Sequence, residues 1–251
     1  MIDKKLVERR FASHFDTYNN HAKVQQAISI RLAEKLSNLC LNPKKGLEIG
    51  AGTGFLTRQT TKLYSDCSWT LNDISHKAHP YLEQICRENR VVASYIFEDA
   101  ECYDFQEKFD LVVSASVVQW FDDLEGFIAK LPVKSGSIIA ITTFDNQNFR
   151  EIAFATNSQG LRYFGESDFC RWFDNNGYEK LLCESYCEML EFENPTEVLR
   201  HLKYTGVNAI ENVKWSRGKL EKFCEIYSSN FSSKNGVLLT YNPILMIFRK
   251  K

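Results

Sequence analysis

The short apolar run at residues 47–49 ends in Gly50-Ala51-Gly52-Thr53-Gly54, and this turn constrains the chain more than any other feature. Glycines at alternate positions let the backbone turn sharply and approach a ligand closely. A helix expected at residues 55–63 would then present N–H groups that have no partner within it. Strand, glycine turn and helix, in that order, make the ligand-holding unit of open α/β sheets. The dinucleotide fingerprint GxGxxG needs its third glycine where this chain has Phe55, and Glu48, two residues before the first glycine, would repel a pyrophosphate. A nicotinamide dehydrogenase is therefore disfavoured. The same carboxylate would attract the ammonium of an amino-acid moiety.

The rest of the chain repeats the unit. Strands are predicted at residues 69–71, 91–97, 109–113 and 137–143, and helices at 77–88 and 124–131. Such alternation implies a mostly parallel sheet. Before it, helical spacing from 6 to 39 is interrupted by a polar stretch at 16–21, which predicts two helices joined by a short loop. After it come a helix over 167–176 closed by Gly177, a strand over 181–192, helices at 195–205 and 216–231, and a last strand over 237–248 with Pro243 at an edge or bulge. Residues 193–235 thus read as a helical insertion, a lid between the last two strands.

Two further acids fall where the first does, at the carboxyl ends of successive strands. Asp73 closes the second strand about twenty residues past the glycine turn, a position from which a carboxylate accepts hydrogen bonds from ribose hydroxyls. As a bare residue it also suits a helix cap. Asp99 follows the third strand, where an acceptor can meet an exocyclic adenine amine or simply be a loop carboxylate. Glu48, Asp73 and Asp99 together point to an adenosyl ligand with an amino-acid end.

At Leu47-Glu48-Ile49-Gly50-Ala51-Gly52-Thr53-Gly54, Asn72-Asp73-Ile74-Ser75 and Glu98-Asp99-Ala100-Glu101 the chain resembles the class I S-adenosylmethionine-dependent methyltransferases. Within them it is most similar to the branch acting on malonyl-acyl-carrier protein in biotin synthesis. That likeness is carried by Phe11-Ala12-Ser13-His14-Phe15-Asp16-Thr17-Tyr18, His21-Ala22-Lys23-Val24-Gln25-Gln26, Ser114-Ala115-Ser116-Val117-Val118-Gln119-Trp120-Phe121, the run at 199–209 and Leu239-Thr240-Tyr241-Asn242-Pro243. Departures are Ala51, where many relatives carry cysteine, and Lys134-Ser135-Gly136, where a Pro-Gly-Gly is lost.

The resemblance implies one Rossmann-like α/β domain over 1–251, with a seven-stranded, mostly parallel sheet whose last strand is antiparallel. It also implies that residues 1–40 and 193–235 cover the active site. S-adenosylmethionine, leaving as S-adenosylhomocysteine, would be held by Glu48, Gly50, Ala51, Gly52, Gly54, Asp73, Ile74, Asp99, Ala100, Ser114, Gln119 and His21. The free carboxylate of a malonyl thioester, on carrier protein or coenzyme A, would meet Arg200, His201, Tyr204, Tyr18 and Trp120. Arginine suits a planar carboxylate, and in a helix starting at Pro195 the residues Arg200 and Tyr204 share a face. A carboxylate is already ionised near neutral pH, so no general base is expected. An acidic carrier would also call for a basic patch, with Arg162, Arg171, Lys203 and Lys214 as candidates. A small carboxylic acid or quinone precursor as acceptor, or a cofactor-binding partner protein without turnover, remain alternatives.

Composition excludes several other classes. The formal net charge of −1 argues against a chain-wide nucleic-acid footprint, and no stretch is apolar enough for a signal peptide or a membrane span. The reading is a cytoplasmic protein. The eight cysteines form no CxxC pair and no His/Cys cluster at zinc spacing, so reduced thiols and no metal site are expected, with Cys183 and Cys187 on one face of a strand.

Overall fold

A computed structural model describes residues 2–39, 41–158, 160–206 and 215–251. Two helices, α1 (Lys4–His21) and α2 (Lys23–Ser37), precede β1 (Lys45–Ile49), α3 (Phe55–Leu63) and β2 (Ser68–Asn72). A 3-10 turn leads into α4 (His79–Asn89), followed by β3 (Ala93–Ile96), β4 (Phe109–Ala115), α5 (Leu124–Ala129) and β5 (Val133–Phe144). Then come α6 (Arg150–Thr156), α7 (Glu166–Asn175), β6 (Tyr178–Ser185), β7 (Glu188–Phe192), α8 (Pro195–Tyr204), α9 (Arg217–Phe231), β8 (Val237–Tyr241) and β9 (Pro243–Lys250).

Seven strands form one sheet in the order β3-β2-β1-β4-β5-β9-β6, parallel except for β9, which runs antiparallel to both neighbours. This is the predicted Rossmann-like sheet. Its central strands are buried on both faces, so they read as continuous apolar runs. The alternation is still visible in the packing. Val112, Ile139, Ile141 and Met246 join the core with α5 and α7, whereas Leu111, Val113, Ile138, Ala140 and Leu245 join the core with α2, α3 and α4. Each of the Val, Leu, Ile and Met side chains contributes roughly 1.5–3 kcal/mol of burial. A third core unites Val24 and Ile28 of α2 with Val198, Phe223, Leu239 and Tyr241, giving α8, α9 and β8 their own apolar support.

Three local expectations are corrected. The polar stretch at 16–21 is helical throughout: α1 runs on to His21, because Asp16, Thr17, Asn19 and Asn20 lie on its exposed side while Phe15 is buried. The break comes at Ala22 instead. The long strands predicted at 181–192 and 237–248 are each two strands, bent at Tyr186-Cys187 and at Asn242, with β7 and β8 pairing in a separate two-stranded sheet. Pro243 marks the second bend, opposite Phe144 at the end of β5. Because the first bend intervenes, Cys183 and Cys187 do not share a strand face; Cys187 is exposed. α6 was not anticipated, since its seven residues are too few for a clear helical period.

Candidate active site

The carboxyl ends of β1, β2, β3 and β4 open on a cavity that is closed from above by α1. The turn after β1 shapes its floor. Gly50, at φ +67°, lies so close to Val117 that a Cβ would come within 2.2 Å of it. Gly54, at φ +85°, packs equally tightly on Ile85 and starts α3. Nothing lies within 4 Å of the point where Gly52 would carry a side chain, so there the backbone faces open space. Glu48, Gly50, Ala51, Gly52, Asp73, Ile74, Asp99, Ala100, Tyr18 and Trp120 all line this cavity.

The acids differ in what they do. Glu48 is 1% exposed and its Oε2 has no hydrogen-bond partner among the described residues. Burial pushes its carboxyl up to about 8, which Thr57 offsets only in part. Asp73 uses both oxygens on the backbone: Oδ2 accepts from Gly52 N–H at 2.8 Å and Oδ1 from Ser75 N–H at 2.9 Å. It therefore braces the glycine turn and caps the next turn while still facing the cavity. Burial raises it to about 6 despite those two donors. Asn72 donates to the carbonyls of Ile96 and Glu98 and so fixes the loop that carries Asp99. Asp99 accepts from Glu101 N–H and lies 3.9 Å from the Lys4 ammonium.

Polar atoms left without partners mark where a ligand belongs. Besides Glu48 Oε2, the buried Gln25 Oε1, Ser116 Oγ and Trp120 Nε1 have no hydrogen-bond partner among the described residues, and all four residues line the one cavity. An unmet buried polar atom costs about 1–3 kcal/mol, so four in one cavity fit a polar ligand with a cationic end. Ser116 also holds φ +60°, a conformation that a non-glycine residue keeps only where the surroundings enforce it. Burial and the charge of Asp73 raise the Tyr18 hydroxyl, which keeps it a protonated donor over the cavity.

Other predicted residues lie elsewhere. The hydroxyl of Ser114 donates to the Ile49 carbonyl at 3.0 Å, inside the sheet, and Ser116 two residues on is the serine that reaches the cavity. Gln119 donates to the Ser116 carbonyl and accepts from Thr143, which holds the turn after β4 in place. His21 stacks on Tyr204 with ring centroids 4.4 Å apart, joining the end of α1 to the end of α8. His201 is buried and shares a 2.7 Å hydrogen bond with the Tyr241 hydroxyl; burial lowers its imidazole to about 4. Arg200 is exposed, pairs with Glu197 at 2.9 Å, and with Tyr204 lines a second groove between α6, α8 and α9. Of the basic candidates, Lys203 lines that groove, Arg162 lies over Phe164, Arg171 pairs with Asp168, and Lys214 falls outside the described residues.

Several cavity residues escaped the sequence reading. Phe11, Phe15 and Phe55 form apolar walls, and Lys4 ties α1 down by bonding Glu101 at 2.6 Å and the Trp120 carbonyl at 2.7 Å. Thr53 donates to Asn19 at 2.6 Å, fastening the same helix to the glycine turn. The aromatic spacing of α1 was the available signal for these contacts. Among the described residues, no group of three His, Cys, Asp or Glu side chains could hold a metal ion, and no helix is long and apolar enough to cross a membrane.

Residues 47–132 match the methyltransferase domain family. The fold is shared with the YcgJ protein of Bacillus subtilis, at TM-score 0.61 and 11% identity over 88% of this chain and 98% of that one. It is shared also with the N-methyltransferase NodS of Bradyrhizobium japonicum, solved with S-adenosyl-L-homocysteine, at TM-score 0.51 and 15% identity over 91% and 86%. Fold and family match together define a class I methyltransferase. Malonyl-[acyl-carrier protein] O-methyltransferase of Haemophilus ducreyi is 36% identical over 100% of this chain and 98% of its own length, and that of Haemophilus influenzae 34% identical over 99% and 95%. The chain belongs to this family of malonyl-[acyl-carrier protein] O-methyltransferases.

Proposed function

We propose that the protein converts the free carboxylate of malonyl-acyl-carrier protein to its methyl ester, with S-adenosylmethionine as donor, at the entry to the pimeloyl chain of biotin. The observation that carries the reading is Glu48: a buried carboxyl with one oxygen unpartnered, beside an open glycine turn, suited to an ammonium that arrives with its own charge. In this reading Asp73 keeps the Gly52 backbone turned toward the ligand, Asp99 and Ala100 form the far wall, and Tyr18 and Trp120 close the side next to α1. When bound, the donor supplies an electrophilic methyl group on a sulfonium.

The chain's own task is alignment and the exclusion of water, since the acceptor oxygen is ionised near neutral pH and needs no base. The apolar walls of Phe11, Phe15 and Phe55 serve that exclusion. α8 and α9 act as the cover through which the acceptor enters. The test is mass spectrometry of malonyl-carrier protein after incubation with enzyme and S-adenosylmethionine. A gain of one methyl group on the malonyl moiety supports the reading, and an unchanged mass sinks it.

A further inference from the structure

We propose that the groove between α6, α8 and α9 is the docking surface for an acidic carrier protein, whose thioester arm passes from there to the cavity. The inference rests on the proposed malonyl-carrier substrate. Arg10, Arg200, Lys203, Lys219 and Lys222 line the groove, and its described lining includes no Asp or Glu. The whole chain has 31 basic against 32 acidic residues, so this is a local segregation of charge. Arg200 shares its charge with Glu197, whereas Lys203, Lys219 and Lys222 lie exposed along α8 and α9. Two aromatic side chains in the same lining, Phe154 and Trp215, are 59% and 39% exposed. Exposed aromatics ringed by charges of one sign are what a protein partner of the opposite sign covers.

Position selects the partner. Leu161 of the groove packs with Val7 and Trp120 of the cavity in one small core, so the two adjoin there. On α1 the groove residue Arg10 is followed directly by the cavity residue Phe11. A partner seated on the groove therefore has its arm next to the methyl-transfer cavity. A second copy of the chain is a poor occupant, because a symmetric contact would face these cations with themselves.

The test compares the full-length chain carrying Lys219→Glu and Lys222→Glu with one carrying Lys62→Glu and Lys108→Glu, an equal charge change on exposed residues outside the groove. Affinity for fluorescently labelled malonyl-carrier protein is read by anisotropy. Initial rates are read on malonyl-carrier protein and on malonyl-pantetheine, which has no protein surface. The groove variant is expected to bind the carrier about tenfold or more weakly, with a matching rise in KM on malonyl-carrier protein and an unchanged rate on malonyl-pantetheine. The control variant should match the wild type in all three. Unaltered carrier affinity in the groove variant, or an equal loss with malonyl-pantetheine, overturns the proposal. The anisotropy arm reads the groove without turnover, so a wild-type enzyme that binds the carrier but does not methylate it would refute the proposed reaction and leave the groove supported.

Discussion

The cavity at the sheet edge and the groove beneath α8 and α9 both gather polar side chains, yet they hold them in opposite ways. In the cavity two carboxyls are buried and turned inward: Glu48 lacks a partner on one oxygen, and Asp73 is committed to two backbone donors. In the groove Arg200 and three lysines are exposed, and Arg200 answers a carboxylate on its own helix. Buried, preorganised groups recognise a small ligand by direct contact and are little screened by salt, whereas exposed charges steer and hold a large partner and weaken as salt rises. The molecule divides its two recognition tasks along that line.

The largest test of the contrast is Glu48→Gln. Removing the carboxylate should weaken S-adenosylmethionine binding about 100-fold or more by calorimetry, because the ligand's ammonium would be left buried without its counter-charge. Asp73→Ala comes next. It frees the Gly52 and Ser75 N–H groups and loosens the turn, for an expected loss of about thirtyfold, and retention of full affinity would show that the turn does not depend on it.

A third effect is pH dependence. Ligand-free Glu48 is protonated below about 8 and must ionise to receive an ammonium, so cofactor affinity should rise about tenfold or more from pH 6 to pH 8 and then level off. An affinity that is flat over that range would remove Glu48 from the role.

Stability carries the opposite sign. The folded-state value of Glu48 is raised above its ordinary 4.5, so its contribution is fully present below about 4.5 and is lost as pH climbs toward about 8. Glu48→Gln should therefore raise the ligand-free Tm by about 5 °C at pH 8, with the gain shrinking toward pH 5. The smallest effect belongs to Arg200→Ala. Cofactor affinity should stay within about twofold of wild type, since an exposed pair within one helix is worth only about 0.3–0.5 kcal/mol.

The same contrast explains what could be read before the structure. The glycine turn, Asp73 and Asp99 lie at strand ends, and strand ends are visible in a sequence because a short apolar run stops at a turn. The seven strands and the antiparallel last one came from family resemblance, and the structure has them as expected. Ser114 and Ser116 were the harder choice. Both follow from the same strand, and only the sharp turn at Ser116, with its positive φ, decides that the second one reaches the cavity. His201 and Tyr204 share α8 with Arg200, but burial against Tyr241 and stacking on His21 draw them into packing contacts that helical spacing alone does not reveal. Likewise the polar residues of α1 suggested a loop, because nothing in the local sequence says which side of the helix the cavity will occupy.

Glu48 is where the account is most exposed. Calorimetric titration of S-adenosylmethionine at pH 7, repeated in buffers of different ionisation enthalpy, counts the protons released on binding. The account predicts about one proton released by the wild type, given a carboxyl near 8 that ionises on binding, and close to none by Glu48→Gln. Equal proton release by the two proteins, or none from the wild type, would contradict it.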